Sequence, residues 1–150
     1  MSRRAVRAEE LSLLLMRASS AVAERINDAV IASGHPGLRP VYGLVFARIS
    51  GAGASINQLA EHLGITKQSA SAIVDALVRD GYVARRPDPA DRRASIIELT
   101  ARGRQVTRAA SRTAAAEVER LETRWGPVAL KSFTGMLDDL AGDGTPRPVW

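Results

Sequence analysis

Apolar residues recur at three- and four-residue steps over most of the chain, and the interruptions fall where glycine or proline breaks the ladder. Residues 6–32 read as a long helix with Leu11, Leu14, Leu15, Ala18, Val22, Ile26, Ala29 and Val30 on one stripe. Ser33-Gly34-His35-Pro36-Gly37 ends it. Residues 40–49 form a shorter helix opened by Pro40, whose missing N–H costs nothing in a first turn. Ser50 to Ala54 read as a turn. Ser55-x-x-Gln58 is a capping box for a helix over 56–63, which Gly64 ends. Thr66 then caps a helix over 67–80, closed by Gly81.

Beyond Gly81 the period shifts from 3.6 toward 2. Residues 82–86 and 95–99 read as two strands of a hairpin, joined by the polar loop Pro87-Asp88-Pro89-Ala90-Asp91-Arg92-Arg93. Thr100 caps a second long helix over 101–124, Gly126-Pro127 breaks it, and residues 127–141 form a last helix. The segment from Ala141 to Trp150 reads as a frayed tail. The expected fold is mainly α with a small β-hairpin: a winged helix-turn-helix over 39–100, carried between helical regions 1–38 and 101–150.

Charge sharpens this picture through its placement. The net charge is +5, and the basic side is 19 Arg against 2 Lys. Residues 1–38 contribute +1, residues 105–150 contribute 0, and residues 39–104 contribute +4. Seven Arg fall between Arg79 and Arg104. A basic segment between nearly neutral flanks suits a polyanion, although a solvated basic loop would look the same. There is no Cys, so thiol chemistry, disulfides and Cys-based zinc sites are excluded. No apolar run is long enough to span a membrane and no cleavable leader is evident, so a cytoplasmic location is expected. No nucleophile motif, phosphate-binding glycine loop or metal constellation stands out, so neither catalysis nor a cofactor is expected.

The helix pair 56–63 and 67–80 shares an apolar set: Leu59, Leu63, Ile65, Ile73, Val74 and Leu77. The opening turn of the second helix is small and polar. Thr66, Lys67, Gln68, Ser69 and Ser71 can bond phosphates and base edges in a major groove. Gln68 can bond adenine bidentately, while Ala72 offers only a methyl contact to thymine. Thr66 and Ser69 equally suit simple capping. At the hairpin tip, Arg92 and Arg93 suit a narrow minor groove. Asp88 and Asp91 would repel phosphate, and fit better as braces for the loop or for an Arg. A protein-binding winged helix is the alternative, but the helix opening lacks the aromatic or large apolar anchors such an interface uses.

These residues resemble the MarR family of bacterial transcription regulators. The resemblance runs through Leu59-Ala60-Glu61-His62-Leu63-Gly64-Ile65-Thr66-Lys67-Gln68-Ser69-Ala70-Ser71 and through Asp75 to Val83. It is most specific over Arg85 to Ala94 followed by Ile97-Glu98-Leu99-Thr100-Ala101-Arg102-Gly103, an Asp-x-Arg wing and a strand ending in Leu-Thr-x-x-Gly. It implies a homodimer whose terminal helices interlock into a base and whose two lobes bind palindromic double-stranded DNA, most often as a repressor. It also implies release by a small aromatic or anionic ligand bound between base and lobe. By the same resemblance, Arg93 enters the minor groove, Asp91 positions it, and Thr66, Gln68, Ser69 and Ser71 face the major groove. His35, Arg39 and Tyr42 fall near the ligand cleft, where Arg39 could pair with a carboxylate and Tyr42 could stack. Tyr42 as core, with Arg39 and His35 on the surface, is the plainer alternative. Two departures from the family pattern stand out: Leu38 to Gly43 where a Thr-x-x-Gln-like opening is common, and Ala72 where many members carry Arg. Without Cys, an oxidant-sensing thiol is excluded.

Overall fold

A computed structural model describes residues 7–91 and 93–144. The elements run α1 (Ala8–Ala32), α2 (Pro40–Ile49), β1 (Ala54–Ser55), α3 (Ile56–Leu63), α4 (Lys67–Arg79), β2 (Val83–Pro87), β3 (Ser95–Leu99), α5 (Ala101–Trp125) and α6 (Pro127–Ala141). Every helix expected from periodicity is present, with ends shifted by a residue or two. Asp80 caps α4 instead of continuing it, and α5 extends through Trp125. The first expected strand sits one residue later, at Val83–Pro87. The start of the first helix before residue 7, and the tail from residue 145, fall outside the described residues.

The end groups act as their chemistry dictates. The Ser55 hydroxyl accepts from the Gln58 amide at 3.2 Å, and the Gln58 side chain accepts from the Ser55 amide at 2.9 Å. Two orphan donors are thereby satisfied at once. Gly64 takes the left-handed conformation, φ 64°, at the α3–α4 turn, where glycine carries no side-chain penalty. Thr100 has the busiest cap. Its hydroxyl accepts from the Gly103 amide and donates toward the carbonyls of Gly81 and Tyr82, tying α5 to the connection between α4 and β2.

The turn expected over residues 50–54 ends instead in a strand. Ala54 pairs with Ile97 and Ser55 with Ile96, so the hairpin becomes a three-stranded antiparallel sheet in the order β1-β3-β2. Two residues carry no period of their own, and tertiary pairing alone makes them a strand. Gly53 permits it. Its φ is +79°, and a Cβ there would lie 2.6 Å from the Ile96 side chain and 2.7 Å from the Ile97 carbonyl oxygen.

The core belongs to the middle of the chain. Tyr42, Val45, Phe46 and Ile49 of α2 pack with Leu59 and Leu63 of α3, Val74 and Leu77 of α4, and Val83 and Ile97 of the sheet. Val30 of α1 and Val106 and Ala109 of α5 attach the long helices to it. Outside that junction, α1 and α5 run against each other, with Arg25 and Glu117 paired between them at 3.0 Å. α6 buries none of its residues. Among the described residues, no helix is long and apolar enough to cross a membrane, and no group of His, Asp or Glu is arranged to hold a metal.

Candidate nucleic-acid interface

The helix pair that positions the interface follows from its buried spacing. Leu59, Ala60 and Leu63 on α3 face Ala70, Val74 and Leu77 on α4, all buried. With those positions inward, the first turn of α4 is left outward: Thr66, Lys67, Gln68 and Ser69 are exposed, and Ser71 is half-buried. Thr66 caps the helix by accepting from the Ser69 amide at 3.1 Å, and the two hydroxyls are bonded at 2.9 Å. Thr66 and Ser69 therefore hold each other at the helix start. Lys67 and Gln68 extend from that fixed turn, and Ala72 lies exposed one turn further along. The helix N-terminus adds its own partial positive charge.

The wing is built on the β2–β3 pairing, Val83 opposite Leu99 through Pro87 opposite Ser95. Beyond Pro87 the loop is closed by its acids. Asp88 Oδ1 accepts from the Ala90 amide and Asp91 Oδ1 accepts from the Arg93 amide, each at 2.9 Å. The Asp88 amide donates to the Ala94 carbonyl, and the Ala94 amide to the Asp91 carbonyl. Both carboxylates are thus engaged in turns, the local role that suits short acidic side chains. Asp91 holds the backbone of Arg93, which is exposed at the tip. Arg92 lies outside the described residues.

Two ion pairs stiffen the wing. Arg86 Nε donates to Glu98 of β3 at 2.8 Å, and Arg85 of β2 donates to Asp75 of α4 at 2.5 Å. The second pair joins the wing to α4 across ten residues. It was not expected from sequence, where no local spacing links the two residues.

The three residues expected near a ligand cleft separate in space. A cavity of about 350 Å³ opens between α1, α2 and α5, lined by Ile26, Val30, Leu38, Phe46, Val106 and other mostly apolar side chains. That volume suits a small organic molecule. Arg39 and Tyr42 line it. Tyr42 is buried, and its hydroxyl accepts from Arg39 Nη2 at 2.7 Å and Nε at 3.2 Å, while Arg39 itself is exposed. His35 is not part of this lining. It is buried against Tyr82, ring centroids 5.8 Å apart, where the α1–α2 connection meets the lobe. Arg102 stacks on Tyr82 as well, 4.6 Å from the ring centroid. Asn27, Thr107 and Ser111 add polar atoms to the cavity wall, none of them marked by sequence spacing. The Thr107 hydroxyl donates to the Gly103 carbonyl and the Asn27 amide donates once to the Leu38 carbonyl.

Comparison with known proteins points the same way. Residues 37–94 match the MarR family model. BadR of Rhodopseudomonas palustris, a transcriptional activatory protein, is 37% identical over 54 residues, which is 36% of this chain and 31% of BadR. The matched stretch therefore spans under a third of that relative's length. Among solved structures, the transcriptional repressor CouR bound to a 23-mer DNA duplex is 27% identical with a TM-score of 0.74, covering 95% of this chain and all of that one. RV1404 from Mycobacterium tuberculosis shares the fold at 20% identity and a TM-score of 0.74, covering 97% of this chain and 100% of that one. The match to the MarR family model lies over the helix-turn-helix and the wing as far as Ala94, and the fold shared with solved transcription regulators extends to the terminal helices.

Proposed function

We propose that this protein is a homodimeric, sequence-specific DNA-binding regulator that occupies a palindromic operator in the cytoplasm. Repression through that occupancy is the expected output. The carrying observation is the pairing of an exposed, small and polar α4 opening with a wing whose acids are spent inside the loop. Thr66, Lys67, Gln68, Ser69 and Ser71 would meet the major groove, with Arg92 and Arg93 in the adjacent minor groove. Phosphate contacts hold the register, while Gln68 and the methyl of Ala72 read base edges. The solved complex of CouR with a DNA duplex supports this use of the fold. BadR is named for activation, and activation requires the same occupancy at a different distance from a promoter.

In this reading residues 1–38 and 101–150 form the dimerisation base and residues 39–100 the DNA lobe. Support comes from the apolar side chains left exposed on the long helices, Leu11, Leu13, Leu14 and Met16 on α1 and Met136 and Leu140 on α6 among them. Large apolar side chains exposed in this number on a few helices suit burial against a partner. A small aromatic or anionic effector would bind the cavity at the junction of base and lobe, its ring among the apolar side chains and its charge on Arg39. Filling that cavity changes the packing that joins α2 to α1 and α5, and hence the separation of the two lobes.

The test is a gel-shift panel of random and genomic duplexes across a salt series. Affinity should fall steeply with salt, because each phosphate contact releases counterions. A salt-independent affinity, or binding to acidic proteins in preference to any duplex, would contradict the proposal and favour a protein-binding winged helix.

A further inference from the structure

An acidic side chain stands on the face that would read DNA. Asp75 follows Gln68 by seven residues and Ala72 by three, spacings that keep all three on one side of α4. Its side chain is 63% exposed. A bare carboxylate there would oppose a polyanion, yet this one is paired. Its Oδ1 accepts from Arg85 Nη2 at 2.5 Å, and Arg85 stands on β2, the strand that leads into the wing tip.

Neither partner belongs to the apolar core, and exposed ion pairs contribute little to stability. The pair does join the two elements that would enter neighbouring grooves. The neighbouring Arg86, on the opposite face of β2, is held separately by Glu98 of β3, so both guanidinium groups of the strand are fixed. A guanidinium has five N–H donors in a rigid fork. One of them holds Asp75 in this pair, and the outward donors of the fork are thereby aimed in a fixed direction.

We infer that Asp75 and Arg85 form a strut that sets the wing against the recognition helix and presents Arg85 to a phosphate between the two grooves. Asp75 is a positioning residue in this arrangement, and the pair favours the operator over random DNA. The inference rests on the DNA-binding reading above. The strut fixes the distance between major-groove and minor-groove contacts. Random duplexes, bound through phosphates alone, do not require that register.

The full-length chain is tested with Asp75→Ala, Asp75→Glu and Arg85→Gln. Each is measured against a duplex selected by the wild type and a scrambled duplex of equal length. An exposed pair is worth up to about fivefold per lobe, and the factors multiply over two lobes, so the expected loss of operator affinity for Asp75→Ala is up to about twenty-fivefold. Affinity for the scrambled duplex should stay level or rise, because a negative charge has been removed. Asp75→Glu should recover most of the operator affinity. Arg85→Gln should weaken both duplexes and lower the salt slope by about one unit per lobe. All three should keep the wild-type thermal midpoint. Operator binding by Asp75→Ala at or above the wild-type level would overturn the strut, as would a loss matched by an equal fall in thermal stability. A wild type that prefers no duplex at all would instead remove the DNA-binding reading underneath it.

Discussion

The lobe between residues 39 and 100 and the long helices around it treat apolar surface in opposite ways. The lobe closes on itself. Val45, Leu59, Val74, Leu77 and Ile97 have no exposed surface, and the sheet covers one side of the helix pair. The terminal helices leave theirs open: Val128 is 79% exposed, Met136 64% and Leu13 59%, and α6 has no buried residue. Helices of this length are stabilised in water mainly by packing of an apolar face. The lobe therefore buries its apolar residues within the chain, whereas the terminal helices leave much of theirs uncovered. In the proposed dimer the two properties are complementary, since a self-contained lobe can be moved as a unit by whatever alters the base.

The widest separation between the two regions should come from charging the open face. Met136→Asp with Leu140→Asp touches side chains that are largely exposed in one chain. The lobe should stay folded, sedimentation should report a monomer, and operator affinity should fall by about a hundredfold or more as the second site is lost. A dimer that survives would place its interface elsewhere.

Within the lobe, Leu77→Ala removes a fully buried side chain and should cost about 3 kcal/mol in chemical denaturation. Gly103→Ala strikes the joint between the regions. Its Cβ would lie 2.1 Å from the Tyr82 carbonyl oxygen, an overlap only backbone movement relieves, so a loss of at least ~2 kcal/mol is expected. A Gly103→Ala protein of wild-type stability would show that α5 is free to shift at the wing base.

Arg93→Ala acts on the lobe's outer surface alone. Operator affinity should drop about thirtyfold or more, the loss of one groove contact of about 1 kcal/mol or more in each half-site, with thermal midpoint and dimer mass unchanged. The smallest effect belongs to the base. The Arg120 hydrogen bond, opposed by partial burial and reinforced by Arg25, holds the Glu117 carboxyl below the ordinary glutamate range. A lowered folded value means the clamp's contribution is complete above about pH 4.5 and fades as pH falls through that lowered value. Glu117→Gln should therefore lower the thermal midpoint slightly near neutrality. The gap from wild type should narrow in acid, and a gap independent of pH would contradict this.

The parts legible in the sequence are those encoded locally. Ser55, Thr66 and Thr100 announce their helices because an N-cap needs only a hydroxyl and a nearby amide. The α3–α4 turn is visible in Gly64, and the wing in its change of period. The illegible parts depend on residues distant in the chain. β1 exists because Ala54 meets Ile97. The cavity is walled by three separate helices, which is why Asn27 and Ser111 carried no signal. His35 reads as a surface loop residue beside Gly34 and Pro36, yet Tyr82 covers it. Asp75 and Arg85 each look like ordinary surface charge until folding brings them together.

The most direct measurement is selection of bound duplexes from a random library by the full-length protein, followed by footprinting of the winners. Two lobes related by a two-fold axis should enrich a palindrome whose half-site centres are about 10 base pairs apart. Protection should fall in the major groove of each half and in the flanking minor groove under the wing. No enrichment, or a single unpaired half-site, would contradict a dimeric reader of DNA.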